Sequence, residues 1–505
     1  MNEFELKFQV DPKHRAAVEE AVTRGQSRKE RLEARYYDTA DGALAARRIV
    51  LRMRKEGRRW VQTAKAPGGH ALERHEHNVE IQTAKASDVP LPRLGRHAGT
   101  PVGALIDDAL KAAGQVPAEA LLVPLYATDI RRTTREMRTG DARVELAFDR
   151  GEVSAGDRSH PVCELEIELK SGSPQSLLEL ARRWCMRYGI WLDTVSKSQR
   201  GERLAKGIAF GEAVKAQPPS VDKRMDGPQV FRAVVGACLA QILPNASEVA
   251  AGSPEPEHVH QLRVGIRRLR TALREMNSFA PPIDPAWEPV LVETFRALGR
   301  QRDREHLQKV VQPQIEAAGG PSVEWPEPAE PEADAAAAVR NQAFQRVLMG
   351  LIAASLPPEE PPAEAADVPT PAQHAGPARK PLRKRLDKLH RQVAREGQHF
   401  EMLEPEAQHR VRKRLKRLRY LAEFVAPIFG EARAGRYLDE LRPAQDALGM
   451  HNDSAMAISA YREVADHDGR AWFAVGWLSA SRTESALECK AALDKVVRAR
   501  RFWKS

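Results

Sequence analysis

Polar and apolar side chains alternate along many short segments of the first 206 residues. Successive side chains of a β-strand point to opposite faces, so this alternation predicts strands with one charged face and one apolar face. The segments with this pattern are residues 3–8, 51–54, 63–65, 74–80, 144–149 and 164–170. Three amphipathic stretches could form helices that cover the apolar face, at residues 12–24, 102–114 and 174–188.

The second half of the chain has a different period. From about residue 229 onward the apolar side chains recur every three or four positions, which predicts long amphipathic helices. Residues 207–228 are polar and contain prolines, which is typical of a linker. A Pro/Ala-rich insertion at 319–380 predicts solvated loops around a short helix near 339–354. The predicted domains are therefore 1–206 and 229–505.

The helical half contains an internal duplication. Residues 255–260 (EPEHVH) resemble residues 404–409 (EPEAQH) at an offset of 149 residues, and the following segments keep that offset. Residues 298–303 (LGRQRD) resemble residues 448–453 (LGMHND) at an offset of 150. A single-residue insertion or deletion reconciles the two offsets, which predicts two helical repeats at about 229–318 and 381–500.

One helix of each repeat carries a basic stripe. Cations spaced three and four residues apart lie on one face of a helix, and Arg263–Arg274 and Arg410–Arg419 contain no acidic residue. Ordinary solvated faces mix both signs, so these stripes favour an anionic partner. The stripe residues are His260, Arg263, Arg267, Arg270 and Arg274 in the first repeat, and His409, Arg412, Lys416 and Arg419 in the second.

Composition narrows the class of partner. The 505 residues carry a net charge of +10, which favours a polyanion without identifying it. Four widely spaced cysteines predict free thiols in a reducing compartment. The N-terminus lacks the features of a signal peptide, and no apolar run reaches the ~18 residues of a membrane span. The sequence thus predicts a cytoplasmic protein that does not span a membrane.

The charged strand faces of the first half need a common explanation. If the sheet closes into a barrel, one face of every strand points inward, and the charged faces line a wet lumen. Carboxylates in such a lumen select Mg²⁺ or Mn²⁺, and Arg and Lys side chains bind phosphate oxygens. The predicted fold class is therefore α+β, with an N-terminal antiparallel β-tunnel covered by helices and a C-terminal all-α helical bundle.

The strand motifs resemble those of the CYTH domain, the triphosphate tunnel metalloenzymes. Glu3-Phe4-Glu5-Leu6-Lys7 matches the ExExK signature of that family. Further matches follow in family order at residues 36–39 (YYDT), 51–54 (LRMR), 63–65 (TAK), 145–149, 164–170 (ELEIELK) and 197–198. The resemblance covers residues 1 to about 206 and implies a metal-dependent site for a linear triphosphate.

The resemblance and the alternation together assign residue roles. The metal ligands would be Glu3, Glu5, Glu166 and Glu168, and either Glu164 or Asp149 could complete a second site. The phosphates would be bound by Lys7, Arg52, Arg54, Lys65, Lys197 and Arg132. Arg131 remains an alternative to Arg132 because the strand register is uncertain there. Glu76 and Glu80 are either further ligands or partners of lumen arginines.

The helical half resembles the CHAD domain, a helical duplication that binds inorganic polyphosphate. The resemblance rests on the Pro-Glu-His approach at residues 256–260 and on the paired basic helices. It implies that the nine stripe residues contact polyphosphate. A CYTH domain followed by a CHAD domain implies an inorganic triphosphatase, which hydrolyses tripolyphosphate to diphosphate and phosphate. With no nucleophile constellation evident, direct attack by water is favoured over a covalent intermediate.

Three alternatives remain open from the sequence. The substrate could be an organic triphosphate such as thiamine triphosphate, or ATP in a cyclisation, since a pocket for an organic group cannot be recognised. A non-catalytic polyphosphate-binding or granule-associated protein is the second alternative. Nucleic acid is the third, but the basic stripes lack the interleaved aromatic side chains that stack on bases. The oligomeric state is not encoded in any of these patterns.

Overall fold

The computed structural model describes residues 4–57, 59–67, 74–82, 89–325, 334–358 and 377–504. Two compact units account for these residues. The first combines residues 1–213 with residues 340–349, and the second combines 214–339 with 350–505. The first unit holds the sheet and the second is helical. This arrangement confirms the predicted α+β class.

The first unit is built on a nine-stranded antiparallel sheet with the order β5-β4-β3-β2-β6-β7-β8-β1-β9. Among the described strands the hydrogen-bonded ladder ends at β5 and at β9. The strands are β1 (Glu5–Gln9), β2 (Arg28–Thr39), β3 (Val50–Glu56), β4 (Arg59–Pro67), β5 (Arg74–Ile81), β6 (Leu122–Thr139), β7 (Ala142–Ala155), β8 (Arg158–Ser171) and β9 (Trp191–Leu192).

Helices cover the apolar face of this sheet, as the sequence predicted. They are α1 (Arg15–Thr23), α2 (Pro101–Ala112) and α3 (Pro174–Tyr188), and a fourth helix, α4 (Lys197–Lys206), follows β9. Helix α2 buries Val102, Ile106 and Leu110 against Leu51 and Met53 of β3. Because apolar residues are removed from water on this side only, the alternating charged residues are left on the other face.

The second unit repeats one helical arrangement. The helices of the first repeat are α5 (Gly227–Ala250), α6 (Pro256–Glu275), α7 (Trp287–His306) and α8 (Gln312–Ala317). Those of the second are α11 (Arg379–Gly397), α12 (Pro405–Phe429), α13 (Glu431–Ala465), α14 (Ala471–Ala480) and α15 (Arg482–Arg498). Both α6 and α12 begin with a glutamate N-cap and proline at the first helical position, a placement that proline's fixed backbone angle favours.

The Pro/Ala-rich insertion contains more helix than loop in its described part. Helices α9 (Ala335–Arg340) and α10 (Gln342–Ser355) lie between the two repeats. Residues 340–349 belong to the first unit, where the buried side chain of Gln345 accepts a hydrogen bond of 2.9 Å from the backbone N–H of Leu192 in β9. The guanidinium of Arg340 lies 4.5 Å from the ring centroid of Trp191 in the same strand. The insertion therefore supports an edge of the sheet.

Helix α5 is long and apolar enough to cross a membrane by length and composition alone, which the sequence reading missed. In the structure 61% of the most apolar stretch of this helix is buried, as expected for a helix in the core of a bundle. The buried residues include Val230, Phe231, Val234 and Val235. A single helix of this kind is weak evidence for a membrane span, because core helices pass the same test.

Candidate active site on the charged face of the sheet

The strand register places four glutamates in one row on the charged face. Glu5 pairs with Glu168, Glu168 with Glu145, and Glu145 with Glu136 across four neighbouring strands. Directly opposed side chains in antiparallel strands lie on the same face, about 5 Å apart, and like charges there repel. Lys170 offsets part of this repulsion, with its Nζ 2.8 Å from Glu168 and 3.4 Å from Glu145. These four glutamates are called the carboxylate row below.

Glu3, which the sequence adds to these ligands, lies outside the described residues. The residue pairs next to the carboxylate row contain four more of the predicted site residues. Lys7 pairs with Glu166, and Glu164 pairs with Asp149. The ammonium of Lys7 donates to the backbone carbonyl of Val195. Burial, the largest influence, lowers the pKa of Lys7.

The register also decides between the two arginines that the sequence left as alternatives. Arg132 pairs with Asp149 on the charged face, whereas Arg131 pairs with Arg150 on the opposite face. The guanidinium of Arg132 binds Asp149 in a bidentate manner, with Nε 2.7 Å from Oδ1 and Nη2 2.6 Å from Oδ2. Nη2 also lies 2.5 Å from Glu166. Such fork-shaped pairing fixes both charge and orientation.

Lys197 joins the same cluster from outside the sheet. It is the first residue of α4, a helix that begins in a capping box formed by Ser196 and Gln199. Its Nζ lies 2.7 Å from Asp149 and 2.7 Å from Glu166, and it also contacts Glu164. Oxygens of these three carboxylates lie within 4.8 Å of one another. The ammonium of Lys197 therefore sits where three carboxylates converge.

Burial makes this cluster strongly electrostatic. The side chains of Asp149 and Glu164 are fully buried. Burial alone would raise the pKa of Glu164, but Lys197, Lys7 and Arg200 lower it to about 2. Burial would likewise lower the pKa of Lys197, but Glu164, Glu166 and Asp149 raise it. Glu164 and Lys197 are therefore both held in their charged forms near neutral pH.

Three members of this site escaped the sequence reading. Arg200 binds Glu164 at 3.0 Å and also contacts Asp193. Gln9 donates to Asp193 at 2.8 Å and to Glu164 at 3.2 Å. The alternation through Glu5 and Lys7 extends to Gln9, and Arg200 lies one helical turn after Lys197, so both had a signal in the sequence. Asp193 follows β9 in an irregular segment, and no pattern in the sequence pointed to it.

Glu5 has an environment unlike that of Glu164. Partial removal from solvent, followed by repulsion from Glu166, raises its pKa to about 7, although Lys197 and Arg132 act in the opposite direction. Glu168 adds further repulsion. The charged form of Glu5 is thus disfavoured first by desolvation and then by two neighbouring glutamates. A divalent cation bound by its oxygens would relieve that repulsion.

The basic side of the face lies on β3 and β4. Arg52 pairs with Thr63 and donates to its hydroxyl at 3.3 Å. Among the described residues, no carboxylate lies within ion-pair distance of Arg52, and its buried Nε has no hydrogen-bond partner. Arg54 is instead held by Glu56, with Nε 2.7 Å from Oε1, and Lys65 lies 2.6 Å from Glu76.

The two glutamates of β5 therefore have cationic partners in the structure. Glu76 faces Lys65 in the neighbouring strand; burial tends to raise the pKa of Glu76, but the net shift is downward because of the ammonium of Lys65. Glu80 lies 3.1 Å from Arg59. Of the two roles that the sequence left open, neutralisation of cations is the one that these contacts favour.

In the second unit the two predicted basic stripes lie beside each other. Helices α6 and α12 pack together, and Lys416 of α12 lies close enough to Arg267 of α6 for their charges to repel. Burial first, then Arg267 and Arg412, lower the pKa of Lys416 to about 7. Burial first, and then repulsion from Arg270 and Arg274, also lowers the pKa of Lys413. The surface between the α6 and α12 stripes is called the basic groove below.

Some stripe cations have acidic partners, mostly on other helices, so the stripes are closer to carboxylates than their own sequences indicate. Arg270 lies 2.5 Å from Glu288 of α7, and Arg419 donates to Glu423 at 2.7 Å and to Gln445 of α13 at 2.6 Å. Helix α13 also brings Asp453 to 3.8 Å from Arg412, while its Asn452 lies 2.8 Å from Nδ1 of His409. Arg263 and Arg267 stack over the ring of Phe295. Glu288 and Asp453 lie too far along the chain to be recognised from a helical period, whereas Glu423 lies four residues after Arg419 on the same helix.

Comparison with known proteins agrees with both halves of this description. Residues 1–201 match the family model of the CYTH domain, and residues 233–462 match that of the CHAD domain. The chain therefore belongs to the proteins in which a CYTH domain is followed by a CHAD domain. The predicted family resemblance is confirmed.

Individual relatives match only parts of the chain. An inorganic triphosphatase of Haemophilus influenzae is 30% identical over 169 residues, which are 34% of this chain and 44% of that protein. This chain thus spans less than half the length of that curated relative. The crystal structure of the CHAD domain from the plant Ricinus communis is 26% identical and covers 56% of this chain and 96% of that one, with a TM-score of 0.45. A putative adenylyl cyclase from Hippeastrum with a dominant triphosphatase activity is 18% identical and covers 42% and 98%, with a TM-score of 0.29.

Proposed function

We propose that the first unit hydrolyses a linear triphosphate, inorganic tripolyphosphate in the first instance, to diphosphate and phosphate. The observation that carries this proposal is the division of one sheet face into an acidic and a basic part. The carboxylate row occupies β6, β7, β8 and β1, and Arg52, Arg54 and Lys65 occupy β3 and β4. A polyanion that is bound partly through metal ions requires both kinds of group.

The residues that would hold the metal are Glu5, Glu166 and Glu168, with Glu3 as the further ligand that the sequence predicts. Their oxygen donors suit Mg²⁺ or Mn²⁺, and the raised pKa of Glu5 is consistent with a shortage of positive charge there. When bound, the ion supplies charge neutralisation and a water of lowered pKa. Asp149 and Glu164 are fully buried and hold Lys197, Arg132 and Arg200, so we assign them to orienting those cations rather than to a second metal site. Glu166 also contacts Lys197 and Arg132, but it is only partly buried and lies close enough to Glu5 to repel it, so it stays a candidate ligand.

The cations of the face would bind and orient the phosphate chain. Arg52 has free charge and an unsatisfied buried donor, which suits direct contact with a phosphate oxygen. Lys7, Arg132 and Lys197 lie among the carboxylates and would bring positive charge to the phosphates there. In phosphoryl transfer the protein mainly positions the reactants and neutralises charge, so no protein nucleophile is required. A water molecule would attack the terminal phosphorus directly, in line with the leaving diphosphate.

Substrate competition tests this function. We expect tripolyphosphate to release phosphate faster than pyrophosphate, ATP or thiamine triphosphate, with Mg²⁺ or Mn²⁺ present, and excess chelator to abolish the release. Faster turnover of thiamine triphosphate would favour an organic substrate. No turnover of any of the four compounds would leave the non-catalytic, polyphosphate-binding alternative.

For the second unit we propose binding of inorganic polyphosphate in the basic groove. The supporting observation is that Lys416, Arg267 and Arg412 lie close enough to repel one another, because a bound polyanion would relieve that repulsion. Both activities are consistent with a cytoplasmic protein, as the sequence predicted. The second unit expressed alone and the full-length protein should both bind labelled polyphosphate in an assay without a metal ion. Displacement of polyphosphate by duplex DNA at equal phosphate concentration would instead favour nucleic acid.

A further inference from the structure

Helix α11 carries a third basic stripe, on its exposed side. Its cations recur at intervals of four, four, three and four residues, which places them on one face of the helix, and all five are exposed. The opposite face is buried through Leu382, Leu386, Leu389 and Val393. The exposed cations, called the α11 stripe, are Lys380, Lys384, Lys388, Arg391 and Arg395.

The acidic residues of α11 do not neutralise this stripe. Asp387 accepts hydrogen bonds from Trp503 at 3.0 Å and from Arg501 at 3.2 Å, and Glu396 is paired with Arg414 of α12. Among the described residues, no carboxylate lies within ion-pair distance of any α11-stripe cation. The stripe is therefore a strip of uncompensated positive charge.

The duplication does not explain the stripe. Helix α5 occupies the corresponding place in the first repeat, and its sequence contains one arginine and no lysine. Its corresponding residues are largely apolar and buried. The positive charge is therefore present in one repeat only, so it is not a consequence of the duplicated helical fold.

A cleft connects the α11 stripe to the basic groove. It has a volume of about 500 Å³ and is lined by Arg274, the last cation of the α6 stripe, and by Lys384, Arg385 and Lys388 of α11. The fully buried carboxylate of Glu275 accepts hydrogen bonds of 2.5 Å from Nε of Arg385 and 2.5 Å from Nε of Arg417. This buried carboxylate fixes the two guanidiniums at the junction of α6, α11 and α12.

We propose that the α11 stripe is a second binding tract for long-chain polyphosphate, entered through this cleft from the basic groove. The inference rests on the proposed polyphosphate binding of the second unit. At ~1.5 Å of rise per residue, the α6 stripe is about 21 Å long and the α11 stripe adds about 22 Å. A short polyphosphate fills the groove alone, whereas a long chain continues across Arg274 and Lys384 onto α11.

The tract predicts that the loss of affinity in an α11 variant depends on the length of the polyphosphate, which binding in the groove alone would not. The test uses the full chain in excess chelator, so that metal-dependent hydrolysis does not shorten the ligand. We expect Lys388→Glu, Arg391→Glu and Arg395→Glu, made together, to weaken binding of long-chain polyphosphate on the order of tenfold. Loss of three phosphate contacts should also reduce the slope of log K against log salt by about 2, at ~0.7 per contact as for single strands. Binding of a polyphosphate no longer than the α6 stripe should not change.

A matched control reverses three exposed arginines of α13, which lie outside the stripes and the cleft: Arg436→Glu, Arg442→Glu and Arg462→Glu. This variant has the same net charge as the α11 variant and should bind long chains much more tightly than it. Charge-neutral glutamine variants of the α11 stripe, which preserve helix propensity, should show the same loss to a smaller extent.

The outcomes separate this inference from the function on which it rests. If the wild-type chain binds no polyphosphate of any length, the proposed function of the second unit fails. If it binds polyphosphate and the α11 variant matches the α13 control on long chains, the groove alone is the site and the tract is overturned. Equal weakening of short and long chains would also overturn the tract, because the variant would then act through the groove.

Discussion

Carboxylates on one face of the same sheet differ in what surrounds them. The oxygens of Glu164 are fully buried among Lys197, Lys7 and Arg200, which lower its pKa to about 2 despite the burial. The pKa of Glu5 is raised to about 7 by its partial removal from solvent and by its glutamate neighbours. Paired buried carboxylates orient cations, whereas carboxylates that repel one another favour a divalent ion. The environment of each residue, rather than its type, therefore separates the two roles.

Glu168 belongs to the repelling group, and its removal should affect the reaction more than the fold. We expect Glu168→Gln to reduce turnover of tripolyphosphate by about two to three orders of magnitude, because a metal ion held by Glu168 would supply charge neutralisation and a water of lowered pKa. The requirement for Mg²⁺ should shift to higher concentration. Initial rates over a series of metal concentrations measure both effects.

Glu152 supplies the control for this variant. It lies in β7, is exposed, and pairs with Asp129 and Pro161 rather than with a residue of the carboxylate row. Glu152→Gln makes the same chemical change on the opposite face of the sheet and should leave the rate within about twofold, as is usual for surface substitutions. Equal loss of activity in both variants would contradict the assignment of Glu168 to the metal.

The two arginines of β3 should not contribute equally. Arg54 is bound by Glu56, whereas Arg52 has no carboxylate partner among the described residues. We expect Arg52→Ala to lower kcat/KM for tripolyphosphate by about 100-fold, on the order of 3 kcal/mol, and Arg54→Ala to lower it clearly less. Arg52→Lys should restore only part of the loss, because an ammonium lacks the planar fork of a guanidinium.

Arg31→Ala is a suitable control for the arginine series. The Arg31 guanidinium is exposed and lies 2.8 Å, through Nε, from Asp129. Exposed ion pairs contribute little, so its removal should leave the kinetics unchanged. Steady-state kinetics of these four variants and the wild-type protein on tripolyphosphate rank the losses of activity. A larger loss in Arg54→Ala than in Arg52→Ala would contradict the expected ranking.

At the scale of the strand, alternation predicted faces but not registers. Because side chains have a period of two along a strand, the sequence placed Glu5, Lys7, Glu166 and Glu168 on the charged face without any knowledge of their neighbours. It could not choose between Arg131 and Arg132, because that choice depends on pairing with residues 149 and 150 in the next strand. A register shift between Tyr36 and Tyr37 further shows that pairing is not regular along β2.

At the scale of the helix, the period predicted the stripes but not their partners. Arg270 and Arg412 follow from a spacing of three and four residues, and both side chains are partly buried in the structure. Their partners Glu288 and Asp453 come from α7 and α13, and only tertiary packing brings them close. The α11 stripe was equally visible in the sequence, but it has no counterpart in α5 and so escaped a comparison of the repeats.

The position of Lys416 predicts that polyphosphate binding depends on pH. Its pKa lies near 7 in the free protein, mainly because of burial and then because of Arg267 and Arg412, and a bound phosphate raises it by favouring the charged form. Binding near pH 7 should therefore take up protons, and affinity should fall as the pH rises from 6 to 9. Calorimetry in buffers of different ionisation enthalpy measures the proton uptake.

Lys416→Arg isolates this residue from the other titrating groups. An arginine remains charged throughout that range, so the variant should bind polyphosphate with a flatter pH profile and take up fewer protons. If the profile and the uptake match those of the wild-type protein, the pH dependence arises from another group or from the ligand itself.

At the scale of the whole molecule, the two proposed anion sites belong to two separately packed units. The first unit combines carboxylates with cations, which suits an anion bound through metal ions. The second presents cations in stripes, which suits direct contact with a long polyanion. The net charge of +10 indicated only that the partner is negatively charged. A sum over 505 residues conceals the separation of an acidic row from basic stripes.

This separation predicts that each activity can be removed without the other. Arg267→Glu, Arg270→Glu and Arg274→Glu, made together in the full chain, reverse three cations of the basic groove. Polyphosphate affinity should fall by about 100-fold, with a weaker dependence on salt, because fewer counterions are released on binding. Turnover of tripolyphosphate should stay within about twofold of wild type, because the carboxylate row and Arg52 lie in the other unit.

Glu168→Gln supplies the reciprocal variant. It should lose hydrolysis and retain polyphosphate binding, since it leaves the charge of the groove unchanged. Circular dichroism and thermal unfolding establish that both variants are folded, and the two assays are then compared on the same preparations. If the groove variant is folded and yet loses tripolyphosphate hydrolysis as fully as Glu168→Gln, the groove takes part in the reaction. The assignment of hydrolysis to the first unit alone would then be wrong.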